Sequence, residues 1–143
     1  MSDTLAPPLH ASCVAWQARG LLITGPSGSG KSTLALSLMA LGCALVADDR
    51  TLLHADGDAV IAQTHSRIDG MIEARGIGIL RAPSHGPVAL AGVVDLSQTE
   101  TQRIPPRRFT TLMGHDLPLI WRVDGPHWVP SLLQWLKYGW SDQ

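Results

Sequence analysis

The residues with the clearest chemical meaning form one unbroken segment, Gly25-Pro26-Ser27-Gly28-Ser29-Gly30-Lys31-Ser32-Thr33. This segment matches the spacing G-x-x-x-x-G-K-[ST], in which glycines allow successive backbone N–H groups to turn toward phosphate oxygens. The Lys31 ammonium supplies positive charge to the outer phosphates, and the Ser32 hydroxyl is placed to bind Mg²⁺. The pattern therefore predicts a binding site for a nucleoside triphosphate or a close relative.

The segments on either side of this glycine-rich loop (residues 25–33) are predicted to hold it between a strand and a helix. Residues 20–24 are mostly apolar, which is typical of a short buried strand. Residues 32–41 repeat leucine at helical spacing, and Gly42 follows as a stop signal. A strand–loop–helix unit directs the N-terminus of its helix toward a bound anion, so the context supports the motif.

Asp48 and Asp49 follow the apolar residues 43–47 and are therefore predicted to lie at the end of a buried strand. In a fold with a phosphate-binding loop, a carboxylate at such a strand end lies beside the phosphates and the metal. One aspartate can order Mg²⁺ through water, while the other accepts a proton from an attacking hydroxyl or positions it. The alternative is a solvated strand end in which Asp49 pairs with Arg50.

A third charged group lies in the segment Glu73-Ala74-Arg75-Gly76-Ile77-Gly78-Ile79, just before a strand. Its carboxylate, Glu73, is a candidate to complete a magnesium site with Ser32. Its guanidinium, Arg75, is a candidate to neutralise phosphate charge in a transition state. A surface ion pair before a glycine turn is the alternative interpretation.

The composition limits the class of protein to a single globular domain. The chain has 143 residues, of which 45% are hydrophobic and 16% charged. Its net charge of −1 gives no broad basic surface for nucleic acid or an anionic membrane. Cys13 and Cys43 are isolated in apolar segments, which indicates buried, reduced thiols in a cytoplasmic protein. Residues 1–8 are predicted to form a disordered lead-in, and residues 9–143 the domain.

The remaining pattern predicts an α/β fold with a mixed central sheet. Further strands are expected at residues 10–16, 51–55, 59–63, 88–96 and 117–123, and a terminal helix at residues 128–138. The second and third of these strands flank Asp56-Gly57-Asp58, which indicates a hairpin. Residues 64–77 are predicted to be an ordered loop and residues 97–108 a polar loop.

Several of these segments together resemble one known family. His10-Ala11, the glycine-rich loop, Val46-Ala47-Asp48-Asp49 and residues 73–79 occur in the order and spacing seen in HPr kinase/phosphorylase. The chain resembles the catalytic domain of that family over residues 10–122, particularly the short alphaproteobacterial forms. The resemblance implies the fold of the HPr kinase C-terminal domain. It also implies Mg·ATP-dependent phosphorylation of a serine on the phosphocarrier HPr, or on its nitrogen-related counterpart.

The resemblance also implies roles for individual residues. Asp49 matches the proton acceptor for the target serine, and His10 and Lys31 match active-site positions. Ser32 and Glu73 match the magnesium ligands, with Asp48 beside them, and Arg103 matches a catalytic arginine. The proline–glycine–arginine-rich segment that the family uses to remove the phosphate has no counterpart in residues 117–130, so phosphorylase activity is not implied. The sequence is also compatible with a homo-oligomer of this chain.

Two other functions fit the glycine-rich loop itself. A small-molecule kinase would use the same loop, although the sequence offers no candidate lid or acceptor-base pocket. A non-enzymatic sensor would bind ATP and signal through a partner; the presence of His10, Asp49 and Glu73 argues for retained chemistry instead.

Overall fold

The computed structural model describes residues 8–65 and 70–141, so the predicted lead-in (residues 1–8) lies outside the described residues except for Pro8. Within the described residues the chain forms ten strands and two helices. They are β1 (Ala11–Trp16), β2 (Arg19–Thr24), α1 (Lys31–Ala40), β3 (Ala44–Ala47), β4 (Thr51–Asp56), β5 (Ala59–Thr64), β6 (Met71–Ala74), β7 (Gly78–Arg81), β8 (Val88–Thr99), β9 (Arg108–Leu112), β10 (His115–Arg122) and α2 (Trp128–Tyr138).

Eight of the described strands form one mixed sheet, which confirms the predicted fold class. Six of them follow the order β3-β1-β2-β8-β10-β9, and the β4–β5 hairpin joins through β5 and β8. Strands β2, β8 and β10 are parallel, whereas β1 is antiparallel to both of its neighbours, β2 and β3. Strands β6 and β7 form a separate two-stranded sheet.

The sheet separates two hydrophobic clusters because side chains alternate between its faces. In β2, Leu21 and Ile23 pack beneath α1 and α2, while Leu22 packs on the opposite face. That opposite face is covered by the β4–β5 hairpin, which contributes Leu53 and Val60. The glycine-rich loop therefore follows directly after a strand whose two faces are both buried. Burial of β2 fixes the position where the loop begins.

Most predicted elements are confirmed within one or two residues, including β1, β2, the hairpin after Asp49 and the terminal helix. Two predictions were wrong in part. The loop predicted at residues 64–77 contains β6, which pairs with β7. The loop predicted at residues 97–108 begins within β8, and its last residue opens β9, a strand that the sequence did not indicate.

Both cysteines are buried and free, as predicted. Burial raises the pKa of the Cys13 thiol well above its ordinary value. Burial also raises the pKa of the Cys43 thiol to about 11, although the Lys137 ammonium opposes that shift. Within residues 8–65 and 70–141, neither helix has the length and apolar character that crossing a membrane requires.

Gly92 in β8 gives a test of how α2 packs on the sheet. A Cβ atom at this position would lie 2.4 Å from Trp135 Cη2 and 3.2 Å from the Pro118 carbonyl oxygen. We expect Gly92→Ala to lower the free energy of unfolding by about 1 to 3 kcal/mol, because the buried indole has to move. Gly86→Ala, where a Cβ meets nothing within 4 Å, is the matched control in urea unfolding. Equal stability of the two variants would contradict this packing.

Candidate active site

The topology of the sheet brings the predicted catalytic segments to one edge. Strand β1 runs antiparallel between β2 and β3, so its first residues lie where those two strands end. Ala11 is paired with Thr24, the last residue before the loop, and Cys13 is paired with Ala47, the last residue before the aspartates. His10, the glycine-rich loop and Asp48-Asp49 therefore meet at one edge, although they are distant in sequence.

The glycine-rich loop has the backbone shape that its sequence predicts. Gly28 and Gly30 have φ angles of 82° and 101°, in the left-handed region that favours glycine. Nothing lies within 4 Å of a Cβ built at either position, so the backbone faces open space. Helix α1 begins at Lys31 with no acidic residue in its first turn, which leaves the positive end of its dipole uncompensated. This arrangement is suited to an anion.

Lys31 is buried and holds the loop together. Its side chain is folded over the loop, with Nζ donating hydrogen bonds to the carbonyl oxygens of Gly25 at 2.9 Å and Pro26 at 3.2 Å. The Ser29 hydroxyl in the same loop is buried without a hydrogen-bond partner among the described residues. A buried hydroxyl of this kind is costly unless a ligand or water satisfies it.

Asp48 is the centre of a hydrogen-bond network. Its Oδ1 accepts hydrogen bonds from the hydroxyls of Ser32 at 2.6 Å and Ser12 at 2.9 Å. Its Oδ2 accepts a hydrogen bond from the backbone N–H of Glu73 at 3.2 Å. One carboxylate thus joins β1, the start of α1 and the β6–β7 hairpin. Because Ser32 donates its proton to Asp48, the lone pairs of the Ser32 oxygen remain available to a metal.

Asp49 lies next to His10 and has an unusual backbone conformation. His10 Nε2 is 2.5 Å from Asp49 Oδ1, and both side chains are more than half exposed, at 54% and 57%. The φ angle of Asp49 is 67°, and its N–H donates to the Ser12 hydroxyl at 3.1 Å. Aspartate tolerates this left-handed region better than most residues, and such outliers cluster at functional sites.

Two backbone hydrogen bonds keep this pair in place. The N–H of Leu9 donates to the Thr51 carbonyl at 2.8 Å, and the N–H of Thr51 donates to the Leu9 carbonyl at 3.0 Å. The buried Thr51 hydroxyl also donates to the Ala11 carbonyl at 2.8 Å. The residues on either side of His10 and Asp49 are therefore fixed against each other, while the two side chains face the solvent.

A cleft of about 330 Å³ contains most of the predicted site residues. Its lining residues are His10, Ser27, Gly28, Gly30, Lys31, Ser32, Thr33, Asp48, Asp49, Glu73 and Arg75. Gly25, Pro26 and Ser29 belong to the loop but do not line the cleft. Arg103 is not brought to this cleft; it lines a second one, formed by residues 100–108, the end of β10 and the residues after α2. Its catalytic role stays a prediction.

Ser12 is a site residue that sequence reasoning missed. It is fully buried, donates to Asp48 and accepts from the N–H of Asp49, so it sets the position of both aspartates. The available signal was a single hydroxyl among the apolar residues of β1, at the end nearest His10. Serine is common enough in strands that this signal has little weight without the fold.

The sheet, the loop between strand and helix, and the acidic residues at one edge define an α/β domain built to hold an anion beside carboxylates. A sequence profile described as the HPr Serine kinase C-terminal domain matches residues 3–89, which is more than half of the chain. The chain therefore belongs to the HPr serine kinase C-terminal domain family, as its resemblance indicated.

Similar curated proteins carry the name HPr kinase/phosphorylase. The protein from Pelodictyon phaeoclathratiforme is 41% identical over 73 residues, covering 50% of this chain and 22% of that protein. The Clostridium tetani protein is 39% identical over 98 residues, covering 67% and 32%. The Chlorobaculum tepidum protein is 31% identical over 125 residues, covering 78% and 36%. The chain thus spans between about a fifth and just over a third of these relatives.

The fold also matches a solved structure, that of the HPr(Ser) kinase/phosphatase from Coxiella burnetii. The TM-score is 0.73 at 25% sequence identity, and the match covers 92% of this chain and 94% of that chain. The likeness therefore extends over almost the whole chain, a larger share than the family profile matches. It confirms the predicted fold, that of the HPr kinase C-terminal domain.

Proposed function

We propose that this protein is a cytoplasmic, Mg·ATP-dependent serine protein kinase that phosphorylates HPr, or its nitrogen-related counterpart, of the phosphotransferase system. The observation that carries the proposal is that the glycine-rich loop, Asp48, the His10–Asp49 pair and Glu73 line one cleft. Phosphoryl transfer needs mainly positioning and electrostatic stabilisation, and these groups supply both. Family membership supports HPr as the acceptor, because related proteins bear that name.

The loop fits the phosphates of ATP. The left-handed glycines leave an open cradle, and the buried Ser29 hydroxyl lacks a partner that a phosphate oxygen would provide. The Lys31 ammonium is already at the loop, where its two hydrogen bonds to carbonyl oxygens can be exchanged for bonds to an anion. The first turn of α1 adds backbone N–H groups to the same site.

The neighbouring groups fit Mg²⁺. No set of three or more His, Cys, Asp or Glu side chains in residues 8–65 and 70–141 is grouped closely enough to hold a metal alone. Magnesium bound with a nucleotide takes few protein ligands and keeps water and phosphate oxygens, so the Ser32 hydroxyl and the Glu73 carboxylate are a sufficient protein contribution. Asp48 accepts the hydrogen bond of the Ser32 hydroxyl and so orients it, and its carboxylate adds negative charge beside these two ligands.

The exposed pair His10–Asp49 is suited to receive the acceptor hydroxyl. When bound, Mg·ATP supplies the phosphoryl group and a metal ion that neutralises the charge developing on its oxygens. Asp49 would accept the proton of the serine hydroxyl as the serine oxygen bonds to the γ-phosphorus and the bond from that phosphorus to its bridging oxygen breaks, releasing ADP. His10 holds the Asp49 carboxylate toward the cleft, and Lys31 and Arg75 provide positive charge around the transferred group. Exposure of the pair leaves room for a protein substrate.

The proposal is tested by incubating the purified protein with Mg·ATP and HPr-type phosphocarriers from the same organism. We expect phosphoserine on one carrier, mapped by mass spectrometry, and no transfer when EDTA removes the magnesium. Nucleoside monophosphates serve as competing acceptors and should remain unphosphorylated. ATP binding without transfer to any carrier would contradict the kinase proposal and favour a sensor, whereas transfer to a small molecule would favour a metabolite kinase.

A further inference from the structure

A second cleft of about 370 Å³ lies beyond the end of β10. Its walls include Ile104, Pro105, Trp121, Val123 and Trp140. We propose that this cleft binds the base of the nucleoside triphosphate whose phosphates bind the glycine-rich loop. This proposal rests on the proposed function in one respect, that the loop binds a triphosphate. Beyond that, it assigns a binding site for the base and the residues that would favour a nucleotide over a polyphosphate without a base.

The sheet register places this cleft at a suitable distance from the loop. Strands β2, β8 and β10 are parallel, so their carboxyl ends share one edge, and ligands of open α/β sheets bind outside such ends. Thr24 is paired with Asp95, and Asp95 is paired with Trp121. Two strand spacings therefore separate the start of the loop from Trp121, which is about 10 Å. An extended nucleoside triphosphate spans a comparable distance between its β-phosphorus and its base.

The charged residues indicate the direction in which the nucleotide lies. His10, Asp48, Asp49 and Glu73 belong to β1, β3 and β6 or to the residues beside them, on one side of β2. The terminal phosphate must face these residues for transfer to occur. The nucleoside then leaves the loop on the other side of β2, above the ends of β8 and β10, where the second cleft lies.

The walls of the cleft combine apolar side chains with the charged side chains of Glu100, Arg103, Arg107 and Arg108, and contacts among them hold Trp121 in place. The Arg108 guanidinium lies 3.6 Å from the centroid of the Trp121 ring. Arg108 is itself fixed by two hydrogen bonds to Glu100, at 3.2 and 3.3 Å. The hydrogen bonds from Arg108 hold the pKa of Glu100 below its ordinary value, so the Glu100 carboxylate is ionised at neutral pH. Aromatic rings and planar guanidinium groups of this kind are both surfaces on which a base stacks.

The cleft also offers hydrogen-bonding groups for the edge of a base. The ladder between β9 and β10 ends where Arg108 pairs with Leu119. The backbone N–H and C=O groups of Ile120 and Trp121 that face that side therefore have no ladder partner in β9, whereas the Arg122 carbonyl oxygen accepts from the Glu100 N–H. Apolar walls with a few convergent polar groups are typical of sites for small ligands.

Calorimetry of Mg·ATP and Mg·tripolyphosphate binding tests the proposal, because tripolyphosphate has the phosphates without the nucleoside. We expect ATP to bind at least about tenfold more tightly than tripolyphosphate, because stacking of one base increases affinity by about that factor or more. Val123→Trp, which fills the cleft, should lower ATP affinity to that of tripolyphosphate and leave tripolyphosphate affinity unchanged. Gln134→Trp, on the exposed face of α2, controls for the added indole and should change neither affinity.

Photolabelling with 8-azido-ATP locates the base directly and does not depend on a substituted protein. We expect the label on peptides containing residues 100–108 or 121–123, with competition by ATP. Labelling elsewhere, or equal affinities for ATP and tripolyphosphate in the unmodified protein, would overturn the base subsite while the triphosphate site stands. Failure of both ligands to bind would instead refute the proposed ATP-dependent function, and the subsite with it.

Discussion

Replacing Asp49 by asparagine is expected to lower the rate of serine phosphorylation by about 10² to 10⁴-fold, the range that a general base contributes. ATP affinity should change less than about threefold, because in the proposed mechanism Asp49 acts on the acceptor hydroxyl and not on the phosphates at the loop. Asparagine preserves the size of the side chain and tolerates the left-handed conformation at a φ of 67°. The N–H of residue 49 can still donate to Ser12, so the local fold is retained.

The measurement is a single-turnover rate with saturating HPr, together with calorimetric ATP binding. Asp56→Asn, at the end of β4 and away from the cleft, removes the same charge and should leave both quantities unchanged. A transfer rate for Asp49→Asn within about twofold of the unmodified protein would show that another group accepts the proton. Asp49→Ala is a poorer test, since alanine is strained at this backbone angle.

The parts of the site that could be predicted from sequence are those carried by short, local patterns. The glycine-rich loop fits a motif with fixed spacing between its glycines, Lys31 and Ser32, and the aspartates directly follow an apolar run. The elements beside them have clear periodicity, so the strand–loop–helix unit was predicted almost to the residue. These features can be predicted because the interactions that form them join residues that are close together in the sequence.

The rest depends on pairing between distant strands. The sequence pattern around His10 does not predict a role for it, because a single exposed histidine is rarely catalytic. Its predicted role came from the family resemblance. Its place beside Asp49 follows from β1 pairing antiparallel with β3, which no local pattern specifies. Ser12 was missed for the same reason. Both of its functional partners, Asp48 and the N–H of Asp49, lie more than 30 residues away in sequence.

The β6–β7 hairpin shows why the sequence predicted a loop at residues 64–77, where the structure has strand β6. Strand β6 has only four residues, with Ile72 and Ala74 buried and Met71 and Glu73 exposed. Four alternating residues beside a glycine-rich turn give too short a signal to distinguish a strand from a loop. The consequence is functional: as part of a strand, the Glu73 N–H is held against Asp48, so the predicted metal ligand lies on a rigid element.

Replacing Lys31 by methionine is expected to weaken Mg·ATP binding at least about tenfold and to lower the transfer rate by about 10² to 10³-fold. Methionine retains most of the apolar stem of lysine but has no donor and no charge. Lys31 is only 6% exposed, so its ammonium acts on an anion with little screening by water. Binding and transfer should therefore fall together, whereas Asp49→Asn affects transfer alone.

Lys137→Met is the matched control, because it removes a cation that lies over Trp16, away from the loop. Lys31→Met also removes the donor from the Gly25 carbonyl oxygen, whereas the Pro26 carbonyl oxygen still accepts from the Ser29 N–H, so thermal unfolding of both variants must be compared. If Lys31→Met remains folded and binds ATP as tightly as the unmodified protein, the glycine-rich loop is not the triphosphate site. If both binding and transfer fall while the control is unaffected, the loop holds the phosphates that Asp49 and His10 face.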